Sequence, residues 1–171
     1  MPVSLSRLHG FFLRHLYPLQ RDFDLLSDML YWPLIDTFLW GITGQWLVGS
    51  TGETQLVVAI LVGLVLWQVL WRSQSEVSRN IMEEIWNSNL ANLFSSPLTL
   101  GEWIVGVLSL SVGKMLVTVS VLTAAIWFLY AVNLFSVGWW NIFFFLLTAM
   151  TGWWIGFISA SIVIIYGQKM Q

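Results

Sequence analysis

The chain of 171 residues is 57% hydrophobic and only 9% charged, with a net charge of −2. Soluble domains carry about 25% charged residues, so most of this apolar surface has to meet lipid rather than water. Seven Lys and Arg against nine Asp and Glu supply no clustered basic face for a nucleic acid.

Residues 1–23 place Leu5, Leu8, Phe12, Leu16 and Leu19 at helical spacing, with Arg7, Arg14 and Arg21 on one stripe. The pattern predicts a basic amphipathic helix lying in the membrane surface, apolar face down and divided at Pro18. It is not the pattern of a signal peptide, because the charges are spread out and no apolar stretch ends in a small-residue cleavage site. A first spanning helix is expected over 25–48, interrupted by Asp28, Pro33, Asp36 and Gln45. Residues 55–72 carry no charge before Arg72 and make a second span, long enough for ~30 Å of hydrocarbon at about 1.5 Å per residue. A third span is expected over 103–132, with Lys114 inside it, and a fourth over 139–167. The whole is an all-α polytopic membrane protein, a single transmembrane domain over 1–171.

Between spans two and three lies a polar stretch. Within 81–94, Met82, Trp86, Leu90 and Leu93 recur at helical spacing, while Glu84, Asn87 and Ser88 fall on another face. This predicts a short amphipathic helix that Pro97 terminates, because the residue before a proline avoids helical geometry. Helices that rest on lipid headgroups are usually rich in Lys and Arg. This one carries carboxylates and amides, which suit a protein partner better. Glu83, Glu84, Asn87, Asn89 and Pro97 are therefore the expected contacts to that partner. Glu102 opens the third span, where a negative charge favours a helix N-terminus.

Orientation follows from charge. The loops at 50–54 and 133–138 hold no Lys or Arg, whereas the N-terminal segment, the polar stretch and the tail, with Arg72 at the end of span two, hold six of the seven. The positive-inside rule places both termini and the polar stretch in the cytoplasm of a multi-pass protein of the cell (inner) membrane. Most of the twelve tryptophans read as interfacial anchors, Trp103 near one face and Trp139 and Trp140 near the other. Gly152, Gly156 and Ala160 repeat every four residues, a small-residue face that lets helix backbones approach closely. Asp36 and Lys114 are the two charges expected inside the membrane. Each needs a partner or water there, and the two are expected to face the bundle interior and either pair or share a hydrated cavity. The other possibility is that each reaches an interface or a neighbouring subunit on its own.

Chemistry of the usual catalytic kinds is absent from the sequence. Cysteine is lacking, and His9 and His15 have no metal-ligand spacing, so no catalytic residue, metal or cofactor is expected. Gly113-Lys114 lacks both the upstream glycine and the following Ser or Thr of a phosphate-binding loop. No Gly-x-Ser-x-Gly elbow occurs, and Glu83 and Glu84, being adjacent on a helix, diverge by about 100°.

Residues 83–106, EEIWNSNLANLFSSPLTLGEWIVG, resemble the permease subunits of ABC-2 type transporters. Members of that family show an acidic residue at the start of a cytoplasmic helix, then Ser-Pro-Leu, then a glutamate and a glycine entering the next span; here these are Glu83, residues 96–98, Glu102 and Gly106. The stretch YWPLIDTFLWG over 31–41, a proline-interrupted first span behind a surface helix, is similar too. The family often has a lysine after that glycine, where this chain has Val107. The resemblance implies an export permease whose 81–94 helix is a coupling helix, with ATP hydrolysis on a separate ATPase subunit and a second permease copy completing a homo- or heterodimer. Such permeases usually have six spans, so the four seen here are expected to be part of a longer protein or one piece of a split one. The other readings are a small four-span scaffold or regulatory protein docking a soluble partner, and a membrane-embedded enzyme for lipid-linked substrates. The enzyme would need clustered acids and bases at membrane depth, for which only Asp36 and Lys114 qualify.

Overall fold

The structure, a computed structural model, describes residues 10–15, 17, 23–86 and 99–167. It is helical throughout, with no strand among the described residues. A short helix α1 (Phe23–Leu26) runs through a π-helical turn (Ser27–Tyr31) into α2 (Trp32–Thr51). Then follow α3 (Gln55–Trp86), α4 (Leu100–Tyr130), a 3-10 turn (Leu134–Val137) and α5 (Trp140–Gly167). Three helices, α3, α4 and Trp140–Tyr166 of α5, are long and apolar enough to cross a membrane. α2 is not among them, because Asp36, Gln45 and three tryptophans dilute its aliphatic residues.

The helix ends are set locally. Gly52 takes the left-handed conformation (φ 78°) that closes α2, and its N–H bonds the Val48 carbonyl. Thr99 and Glu102 form a capping box: the Thr99 hydroxyl accepts from the Glu102 N–H at 3.3 Å, and the Glu102 carboxylate accepts from the Thr99 N–H at 2.9 Å. Ala131 ends α4 in the left-handed region (φ 53°), where a Cβ is unfavourable.

α3 is the hub. Its most apolar stretch is 44% buried, against 33% for α4 and 17% for α5. It contributes to three successive apolar clusters. Leu61 and Val65 pack with Leu122 and Ile126, Val69 packs with Met115 and Ala149, and Val77 packs with Trp103 and Val107. α4 is therefore antiparallel to α3. α2 is antiparallel to it as well, since Gly44 lies against Val57 while Asp28 reaches Arg72 and Arg79. α5 runs parallel to α3 and touches it most closely through its small residues. A Cβ on Gly152 would lie 2.6 Å from Ser73 Cβ and 2.7 Å from the Leu70 carbonyl oxygen; on Gly156 it would lie 2.8 Å from the Gln74 carbonyl oxygen. Ala160 is buried one turn further on. The expected small-residue face thus meets α3 of the same chain.

Two expectations change. α3 does not end near Arg72; it continues unbroken to Trp86, about 48 Å in all, some 18 Å more than the hydrocarbon core needs. Residues 81–86 extend that helix, and the remainder of the expected 81–94 helix lies outside the described residues. The N-terminal stretch also differs from a helix lying apolar face down on lipid. Phe11 is buried with Val77, Trp103, Val107 and Leu110, directly over Gly106. Phe12 is partly buried against the same cluster, and Leu5, Leu8, Leu16 and Leu19 lie outside the described residues.

Candidate functional site

The polar residues of α3 form a ladder. Gln68, Arg72, Glu76, Asn80 and Glu84 recur every four residues, and each is at most 5% exposed. Each step of four residues advances about 400° around a helix, a drift of roughly 40° per rung. The ladder therefore winds about 160° from Gln68 to Glu84, and Gln68, Arg72, Glu76 and Glu84 each meet a different part of the chain. Gln68 Nε2 donates to Asp36 Oδ2 of α2 at 3.1 Å. Arg72 donates to the Asp28 carboxylate at 2.9 Å. Glu76 accepts from the Lys114 ammonium of α4 through both oxygens, at 2.7 and 2.9 Å. Glu84 pairs with Arg14 at 2.6 Å. Buried charges are tolerated only when paired and hydrogen-bonded, and here each has a partner. Asn80 adds a hydrogen bond of 3.2 Å to Glu76, and Arg79 joins Arg72 on Asp28 at 3.0 Å.

The π turn explains why Arg72 sits where it does. Pro33 has no N–H, so it cannot bond a carbonyl in the preceding turn. The Trp32 N–H bonds the Ser27 carbonyl, five residues back. The Asp28 carbonyl is then left without either helical donor: Trp32 is committed elsewhere, and the residue five on is Pro33. Arg72 Nη2 supplies the missing bond at 2.7 Å. The Met29 carbonyl loses its ordinary partner to the same proline, and the Thr118 hydroxyl of α4 donates to it at 3.2 Å. A buried carbonyl needs such a partner. One proline thus creates two acceptors that tie α2 to α3 and α4. Arg72 Nε and Asn80 Oδ1 are buried with no partner among the described residues.

Beside the first rung is a cleft of about 230 Å³ lined by Asp28, Trp32, Pro33, Asp36, Trp67, Gln68 and Trp71. Trp67 and Trp71, one turn apart on α3, stack with ring centroids 6.5 Å apart and planes inclined by 26°. Trp32 and Asp36, one turn apart on α2, face them across the cleft. Gln68 is the one hydrogen-bond partner of Asp36 among the described residues, where no cation lies within salt-bridge distance of it.

The expected site residues are distributed as follows. Asp36 and Lys114 both face the bundle interior, but they do not pair. Their partners, Gln68 and Glu76, stand two turns apart on α3, about 12 Å along the axis. Glu84, expected to face a partner protein, points inward to Arg14, while Trp86, expected on the apolar face, is exposed. Inward charge is possible there because the N-terminal segment packs over that face and brings its own cation. Glu83 is partly exposed. Asn87, Asn89 and Pro97 lie outside the described residues. Gly152, Gly156 and Ala160 line the α3–α5 contact. Gln68, Arg72, Glu76 and Asn80 were not expected as site residues. Their regular spacing of four was visible in the sequence and is the signal that identifies a buried polar stripe. The chain matches no family model, no curated protein and no solved structure.

Proposed function

We propose that the chain is the permease subunit of an ABC-type exporter, forming part of the membrane path and working with a separate ATPase subunit. In this reading α2 is the first of four spans, and the end of the bundle that holds Trp86 and Leu100 is cytoplasmic. The protein sits in the cell membrane beside a second permease copy. One observation carries the reading: α3 is a single rigid helix from the cleft at Asp36 to the acidic residues Glu83 and Glu84. Buried, paired charges at membrane depth mark pathways and moving parts rather than inert scaffolding. A push at the Glu83 end would be felt at every rung of the ladder. The resemblance of residues 83–106 to ABC-2 permeases supplies the kind of partner that pushes.

The burial of Glu84 changes the test. Reversing its charge would strand two cations together at Arg14 and disturb folding. Glu83→Lys with Asn87→Lys tests the docking surface without that effect. The expected result is loss of co-purification with the ATPase subunit and loss of substrate-stimulated ATP hydrolysis, at unchanged helicity and membrane insertion. Wild-type ATPase binding and transport in the double variant would overturn the reading, and co-purification with a soluble protein that lacks a phosphate-binding loop would favour the scaffold.

A further inference from the structure

We infer that the cleft between α2 and α3 binds an organic cation, a quaternary ammonium group, through the Asp36 carboxylate and the rings of Trp32, Trp67 and Trp71. The inference does not rest on the permease reading. Three indoles converge on one cleft, and indole is the best aromatic partner for a cation, above Tyr and Phe. The three residues are 59%, 54% and 46% exposed, so packing inside the chain leaves about half of each uncovered, the Trp67–Trp71 stack included. Asp36 supplies the charge. Gln68, itself 5% exposed, donates an N–H to one carboxylate oxygen and so holds the group in place without neutralising it.

The nearby arginines do not cancel that charge locally. Arg72 spends Nη1 on the carboxylate and Nη2 on the carbonyl of Asp28. Arg79 likewise places its guanidinium on the Asp28 carboxylate at 3.0 Å, and Asp28 stands eight residues before Asp36, about 12 Å along the helix. A metal ion is the wrong occupant. Hard cations want several oxygen ligands, and no cluster of three acidic or histidine side chains exists among the described residues. A diffuse cation suits indole faces and a single carboxylate. The room, about 230 Å³, falls below the ~300–1,000 Å³ of pockets that engulf a drug-sized molecule, so the cleft takes a head group and leaves any tail outside. Such a head group belongs either to a choline-type lipid or to a free amphipathic cation.

The test uses the full chain in nanodiscs. In discs of phosphatidylglycerol alone, calorimetric titration with tetraethylammonium should show saturable binding, and the neutral choline isostere 3,3-dimethyl-1-butanol should bind at least about tenfold more weakly than choline. Asp36→Asn should weaken tetraethylammonium binding by at least about tenfold, and Trp67→Leu by roughly three- to thirty-fold. Trp154→Leu, at an exposed position on α5, should leave it unchanged. In discs with added phosphatidylcholine, loss of apparent tetraethylammonium affinity identifies the lipid head group as the occupant, and unchanged affinity identifies a free cation. Equal binding of the charged and neutral isosteres by the wild type would overturn the proposal whatever the variants do. So would absence of saturable tetraethylammonium binding in the phosphatidylglycerol discs.

Discussion

The Glu76–Lys114 pair is the sharpest place to test the ladder. Lys114→Met leaves the Glu76 carboxylate in the α3–α4 contact with only the amide of Asn80. Glu76→Gln leaves the ammonium with a neutral amide where it had both oxygens of a carboxylate, at 2.7 and 2.9 Å. The side chains are 5% and 14% exposed, so solvent screens neither loss. Removing one partner of such a pair costs about 3–5 kcal/mol, whereas replacing both by neutral groups of similar shape is often close to neutral. The double variant should therefore fall short of the summed single losses by at least about 2 kcal/mol. The assay is a double-mutant cycle by denaturant-induced unfolding in mixed micelles, scored by helicity. A second cycle serves as control. Asp36→Asn and Lys114→Met touch partners about 12 Å apart on α3, and distant sites add to within about 0.5 kcal/mol. Additivity in the first cycle, or strong coupling in the second, would refute the arrangement of rungs described above.

Three further outcomes are expected. Gly156→Leu drives a side chain into the Gln74 carbonyl and Val77, so it should destabilise the α3–α5 contact by about 1–3 kcal/mol, seen as lower unfolding midpoints in detergent and independent of any second copy of the chain. Thr99→Ala removes half of the capping box and should cost about 0.5–2 kcal/mol in the same assay, with amide exchange raised at Gly101 and Glu102. Ala131→Gly relieves a Cβ in the left-handed region and should stabilise the chain by up to about 1 kcal/mol; a lower midpoint would show that the α4 C-terminus is not held at φ 53°.

Much of the helical layout was legible because it depends on composition and period alone. The apolar runs at 55–72, 103–132 and 139–167 all fall within or close to α3, α4 and α5, and the four-residue spacing of Gly152, Gly156 and Ala160 marked the close-packed face of α5. The end of α3 was not legible. Arg72, Glu76 and Arg79 read as residues leaving lipid, since hydropathy judges each charge as if it were alone. In the bundle they are solvated by Asp28 and Lys114, partners that lie 38 to 51 residues away in sequence. The same reason explains the misplaced pairing of Lys114. Asp36 and Lys114 were recognisable as charges set within apolar stretches, but the choice between partners depends on which rung of α3 stands between them. Glu84 fails in the opposite direction: its helix-surface pattern said outward, and the Arg14 segment packed over it.

The drift of the ladder has a mechanical consequence. A stripe with a period of 3.6 would keep all five polar residues on one neighbour; a strict spacing of four spreads them over α2, the π turn, α4 and the N-terminal segment. Rotation of α3 about its axis therefore strains the rungs to Asp36, Asp28, Lys114 and Arg14 together, whereas a shift along the axis by one full rung, about 6 Å, brings Arg72 to the level of Asp36 in one direction and Leu64 in the other. That register change is not charge-neutral. In the first direction it sets Glu76 at the level of Asp28, and in the second Arg72 at the level of Lys114, so like charges meet either way. A slide of α3 by a whole rung is thus opposed by the alternation of Arg72 and Glu76, and smaller tilts that keep each pair intact remain open to it. Swapping the two residues, as Arg72→Glu with Glu76→Arg, leaves the net charge unchanged but faces Asp28 with a second carboxylate and Lys114 with a guanidinium. Such a chain should fail to form the bundle, and recovery of its stability by adding Lys114→Glu and Asp28→Lys, with Arg79→Gln to spare the new lysine the like charge that now sits on Asp28, would establish that the rungs are read one neighbour at a time.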